Sequence, residues 1–179
     1  MSASETPSPS SGSPFWRFSL RFYRQSEVAD ACIALQEQAG VDVNLLLFLL
    51  WHATQKRALS QADVADLERR IAPWRNITVI PLRTMRRALK SPPTLVAGAS
   101  AELFRTKIKA VELEAERLQQ EAMYELAGPA LLGVEASSLE DAARANVAAY
   151  AAMGGGAFPQ PAIETLLAAL AGRGRKPEE

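Results

Sequence analysis

Hydrophobic positions in this chain recur at helical spacing through most of its length, and in one stretch they become continuous. Leu45 to Trp51 is seven apolar residues in a row, inside V-D-V-N-L-L-L-F-L-L-W-H-A, Val41 to Ala53. An amphipathic helix leaves one face polar, whereas this segment is apolar on every side and has no face to show to water. It is also too short to cross a bilayer, which needs roughly 20 apolar residues. The pattern predicts a buried hub helix wrapped by other helices. Before it, Pro14 suits a helix start, and Phe15, Phe18 and Phe22 share one face. Ser26 is placed to cap a second helix, with Val28, Cys32 and Leu35 on a stripe and Gly40 at a left-handed stop. Asp42 is placed to cap the hub.

After the hub, Ser60 and Asp63 form a capping-box pattern opening a helix with Val64, Leu67 and Ile71 on one stripe. A turn or kink is expected around Pro73 to Asn76. A further helix over Ile77 to Lys90 follows, kinked or begun at Pro81, and Ser91-Pro92-Pro93 is a stop. Ala101 to Leu126 is the longest helix candidate. Its Phe104, Ile108, Val111, Ala115, Leu118 and Ala122 make a narrow apolar seam, suited to an intramolecular hairpin or to a homodimer. The Ala-rich stretches 138–153 and 161–171 read as short helices that pack loosely, separated by Gly154-Gly155-Gly156. No alternating strand pattern of useful length appears. The fold class expected is therefore all-α, an irregular multi-helix bundle around a central buried helix at about 44–55. Its organisation is a disordered tail (1–13), a core domain (14–126), an Ala-rich extension (127–171) and a frayed end (172–179).

Composition narrows the possibilities without deciding among them. The 179 residues carry 20 Lys+Arg and 20 Asp+Glu, so overall charge favours neither nucleic acid nor membrane. One cysteine, Cys32, and one histidine, His52, exclude an intrachain disulfide and a paired-imidazole metal site. No secretory signal pattern is present, and a cytoplasmic location is the simplest expectation. Phosphate-loop, H-E-x-x-H and D-x-x-x-D motifs are absent, so no cofactor, metal or catalytic residue is assigned.

Three segments carry a resemblance: Phe15 to Tyr23, Ala31 to Trp51, and Trp74 to Lys90. Together they resemble an uncharacterised proteobacterial family, domain of unknown function 2390, over about residues 14–125. The resemblance implies a small helical bacterial protein and brings no functional residue with it.

Two places invite chemistry. Between Arg69 and Lys90 lie seven cations and no carboxylate, and Arg83, Arg86, Arg87 and Lys90 fall on one helix face near Trp74. Guanidinium forks suit phosphate or carboxylate, and Trp74 offers a stacking surface. An interaction module presenting this face to an acidic protein or RNA is the first expectation. The competing one is internal neutralisation by the acidic run from Glu112 to Glu140. An alternative site is a small-ligand or enzyme pocket beside the hub, where Asn44, Trp51 and Gln55 share a face and His52 is the near-neutral titrating group. A homodimer through the 104–122 seam is the third reading.

Overall fold

Asp42 starts the hub as its sequence position suggests. Its Oδ1 accepts the Asn44 N–H at 2.8 Å and the Leu45 N–H at 3.3 Å, opening helix α3, Val43–Thr54. Every residue from Asn44 to Ala53 on that helix is buried. The computed structural model describes residues 12–172, so most of the Ser/Pro tail and of the frayed end lie outside the described residues. Ser13 is a helix cap and largely buried: its Oγ accepts the Trp16 N–H at 3.1 Å, and its own N–H donates to Glu121 at 2.9 Å.

Around α3 the chain lays α1 (Pro14–Tyr23), α2 (Ser26–Ala39), α4 (Gln61–Trp74), α5 (Ile80–Ala88), α6 (Gly98–Ala127), α7 (Leu139–Met153) and α8 (Gln160–Leu170). The architecture is an all-α multi-helix bundle. A two-residue antiparallel ladder, β1 (Arg57–Ala58) with β2 (Val134–Glu135), ties the segment after α3 to the segment before α7. Gly133 permits it: its φ is +77°, and an added Cβ would sit 2.2 Å from the Ala58 carbonyl oxygen. Gly40 ends α2 in the left-handed region, while Ser26 is the first helical residue of α2 and Gln25 occupies the cap position. The Ser60–Asp63 capping box forms reciprocally.

The kink expected at Pro73 is gentler than a break. Pro73 and Pro81 each lack an amide N–H, and between α4 and α5 the helix widens into a π turn, Arg75–Val79, rather than stopping. The widened turn brings Arg75 onto Asp42, at 2.9 Å, and onto Glu68.

The Ala-rich extension packs tightly, contrary to its expected looseness. Helix α7 lies along α3 and α8 lies along α2. Ala142, Ala143, Val147, Ile163, Leu166 and Leu167 join the same apolar cluster as Phe15 and Phe48. Small alanines let helix backbones approach closely, so burial is achieved with few large side chains.

The long helix α6 is also turned from the face expected. Its buried side carries Ala101, Glu112, Ala115, Gln119, Gln120 and Met123, while Phe104, Val111 and Leu118 of the seam are exposed. Polar residues take the inner face because each meets a partner there. Gln119 donates to Asp42 and Gln120 to Asn44, while Glu112 accepts from Arg83 and Arg86.

Candidate binding cleft

Helix α5 runs antiparallel to α6, because Arg83 reaches Glu116 while Arg86, further along α5, reaches Glu112, earlier on α6. Opposite this pair lie α1, α2 and the first turn of α3. The space between them is a cleft of about 670 Å³, within the size range of small-molecule sites. Leu20, Ile33, Val43 and Leu47 give it an apolar wall.

Three residues of the cleft lining each carry a buried polar atom with no hydrogen-bond partner among the described residues: Trp16 Nε1, Ser19 Oγ and Gln120 Oε1. Each belongs to a side chain that is 3% exposed. Buried polar groups are paired in the great majority of cases, and leaving one unmet costs roughly 1–3 kcal/mol. An indole donor, a hydroxyl and an amide acceptor are therefore left unmet on three residues that line one cleft. The other half of the Gln120 amide is used, since Nε2 donates to Asn44 Oδ1 at 2.7 Å.

The charges divide into an inner paired set and an outer free set. Arg83 Nη2 lies 2.8 Å from Glu116 Oε1, and its Nε lies 3.3 Å from Glu112 Oε1. Arg86 Nη2 donates to Glu112 Oε1 at 3.1 Å, and its Nε donates to the other oxygen. Burial alone would raise Glu112, but the Arg86 and Arg83 guanidiniums outweigh it and hold the carboxyl below the usual carboxylate range. For Glu116 burial wins over Arg83 and pushes the carboxyl up. On the rim, Arg87 has only Glu37 at 3.8 Å with both side chains about half exposed, while Lys90 and Lys109 have no ion-pair partner among the described residues. Six cations against three carboxylates line the cleft, a net of +3.

The segment that builds this cleft is also the one with a match among protein families. The family model described as "Protein of unknown function (DUF2390)" matches residues 14–123. The chain belongs to the DUF2390 family. Every residue lining the cleft lies inside the DUF2390 match, whereas α7 and α8, which complete the core, lie outside it. No curated protein and no solved structure matches the chain.

The sequence-nominated residues separate cleanly in space. Arg83, Arg86, Arg87 and Lys90 line the cleft together with Asn44, so the basic face and one member of the hub-side pocket meet at a single place. Trp74 stands apart, its indole N–H donating to the Ala115 carbonyl at 3.0 Å. Trp51 is sealed against Phe15 and Phe48, His52 is fully buried, and Gln55 sits at the exposed C-cap of α3. Trp16, Ser19 and Gln120 carried no local signal. Trp16 and Gln120 are 104 positions apart, and the three acquire meaning only when α1 meets α6.

His52 has no route to a substrate, but it has a structural role that fixes its tautomer. Its Nδ1 lies 3.1 Å from the Phe48 carbonyl and must donate; its Nε2 lies 3.3 Å from the Leu132 N–H and must accept. Burial drives its pKa from 6.5 down to about 4, with the Phe48 carbonyl opposing and Arg57 assisting. The unfolded chain thus takes up this proton near 6.5 and the folded chain only near 4. Between those values the unfolded state binds more protons, so stability is full above pH 6.5 and falls as the pH drops toward 4. We expect about 2 kcal/mol of stability to be lost between pH 7 and 5 through His52. Urea unfolding at both pH values checks it, and His52→Gln should show a smaller pH dependence. Cys32 is fully buried, and burial raises its thiol to about 12, a poor nucleophile in an apolar setting. Among the described residues no group of three His, Cys, Asp or Glu is placed to hold a metal ion.

Proposed function

We propose that this chain is a binding protein for a small organic anion with an apolar or aromatic body, taken up in the cleft between α1, α2, α3, α5 and α6. One observation carries the reading. Trp16, Ser19 and Gln120, whose Nε1, Oγ and Oε1 are buried without partners among the described residues, line a cavity whose rim holds Arg87, Lys90 and Lys109. The rim suits a carboxylate, sulfonate or phosphate. The wall of Leu20, Ile33 and Leu47 suits an apolar body, and the orphan groups suit a polar substituent on it. The cytoplasmic, bacterial setting expected from the sequence belongs to this reading.

An acidic protein or RNA is a less good match to the basic face. Arg83 and Arg86 are committed to Glu112 and Glu116, and Trp74 is held by Ala115, so the fork-and-stack combination such a partner would use is largely occupied. Only the rim cations are left for it.

The test uses 8-anilinonaphthalene-1-sulfonate, an aromatic sulfonate, as the probe. Its fluorescence should rise on binding the folded chain. Arg87→Glu with Lys90→Glu should weaken the affinity roughly tenfold, about 1.4 kcal/mol. Ile77→Glu, an exposed position outside the cleft, should leave it unchanged. No fluorescence rise, or equal affinity in the rim variant, overturns the reading.

A further inference from the structure

The end of the arm made by α5 and α6 buries little of its surface. Helix α5 has no buried residue, and within the first ten residues of α6 only Ala101 is buried. The connection between them carries Leu95, 94% exposed, and Val96, and the second turn of α6 adds Leu103, 70% exposed, and Phe104, 50% exposed. Large apolar side chains at this exposure, clustered at one end of a projecting element, mark a surface meant to be covered.

The charge around them indicates by what. From Arg87 to Lys109 there are five cations, Arg87, Lys90, Arg105, Lys107 and Lys109, against Glu102 alone, a net of +4. Glu102 is paired with Arg105 at 2.7 Å, which leaves the three lysines without a carboxylate among the described residues. The first turn of α6 contains no acidic residue, so its positive dipole end adds to the same field. At 1.5 Å rise per residue, Phe104 lies about 9 Å and Lys107 about 14 Å from the start of α6, so apolar groups lead and lysines follow.

We propose that the tip of the α5–α6 arm docks on an anionic lipid surface, Leu95, Val96, Leu103 and Phe104 entering the headgroup layer while Lys90, Lys107 and Lys109 meet its phosphates. Apolar tip and lysine collar are the two components of interfacial binding. Lysine is a compact charge on a flexible stem and needs no fixed partner geometry, which suits a fluid layer of headgroups better than the matched carboxylates of a protein. A second copy of the chain is the poorer occupant. Four apolar side chains at the end of an arm fall well short of the roughly 20–30 residues a side of a standard interface.

Sedimentation of the full chain with vesicles tests the proposal. Vesicles of equal parts phosphatidylcholine and phosphatidylglycerol should carry the protein down, and phosphatidylcholine vesicles should not. Added salt should reduce the bound fraction. Leu95→Glu with Phe104→Glu should lower the vesicle affinity at least roughly tenfold, the charge being misplaced in an apolar layer, and Lys107→Gln should weaken it further as a separate change. Leu95, Phe104 and Lys107 are outside the cleft, so these variants keep their binding of the sulfonate probe, and the docking surface and the cleft fail or stand separately. Absence of sedimentation with the anionic vesicles overturns the proposal. So does equal sedimentation of the double variant, or sedimentation velocity showing a dimer that the double variant dissolves.

Discussion

Asn146→Leu should lower the unfolding free energy by about 4 kcal/mol, read as a shift in the urea midpoint. Asn146 is fully buried on α7, and its amide is used on both sides. Nδ2 donates to the Leu49 carbonyl at 2.9 Å and to the Arg57 carbonyl at 3.0 Å, while Oδ1 accepts the Leu59 N–H at 2.6 Å. Two carbonyls and one N–H around a single amide also fix which atom is oxygen. Leucine matches the volume but satisfies none of the three. The Leu59 N–H and the Arg57 carbonyl lie in and just after the two-residue strand β1, where no helical ladder supplies a substitute, so each carries roughly 1–3 kcal/mol of unmet desolvation. A loss under about 1 kcal/mol would mean that these groups find other partners and that α7 is not pinned to the hub through this residue.

Asp42→Ala should lower stability by about 3 kcal/mol, more than the loss of a helix cap alone, which is typically about 1 kcal/mol. The carboxylate works on two sides. Oδ1 caps α3, while Oδ2 accepts from Arg75 at 2.9 Å and from Gln119 at 3.2 Å, and the side chain is only 6% exposed. Its backbone N–H donates to the Tyr150 hydroxyl at 2.9 Å, an arrangement the substitution leaves in place. Removing the carboxylate takes away the cap and leaves a largely buried Arg75 with Glu68 as its remaining partner. Asp42→Asn keeps a capping oxygen and loses the ion pair, so it should fall between alanine and the native residue. Equal midpoints for the asparagine and native proteins would show that the Arg75 pair contributes nothing.

The same two residues show what the sequence could and could not disclose. Asp42 was legible as a cap because it stands before an uninterrupted apolar run, and both the cap and the run act locally. Its second role depends on a π turn whose placement requires Pro73 and Pro81 to be accommodated by the helices around them. Asn146 was not legible at all. It sits among alanines, on a helix whose apolar content looks too poor for a core, and its partners are near ninety positions away. The face that α6 turns to the core was hidden for a related reason. Glu112, Gln119 and Gln120 are polar by type and buried by partnership, so of the apolar seam only Ala115 is buried, while Phe104, Val111 and Leu118 face outward. Internal neutralisation of the basic face was foreseen as a possibility, and it holds for Arg83 and Arg86 but not for Lys90. The cleft itself joins groups from α1 and α6 whose only common property, an unmet hydrogen bond, exists in three dimensions alone.

The measurement that tests the cleft most directly is the indole N–H region of a 15N NMR spectrum during titration with 8-anilinonaphthalene-1-sulfonate. The chain has three tryptophans, and two of them make opposed reporters. Trp16 lines the cleft and its Nε1 has no partner among the described residues, whereas Trp74 Nε1 is bonded to the Ala115 carbonyl outside it. Binding in the cleft should move the Trp16 resonance in a saturable way and leave the Trp74 resonance where it was. A Trp16 resonance that stays fixed while the probe binds would place the bound molecule elsewhere and contradict the proposed function.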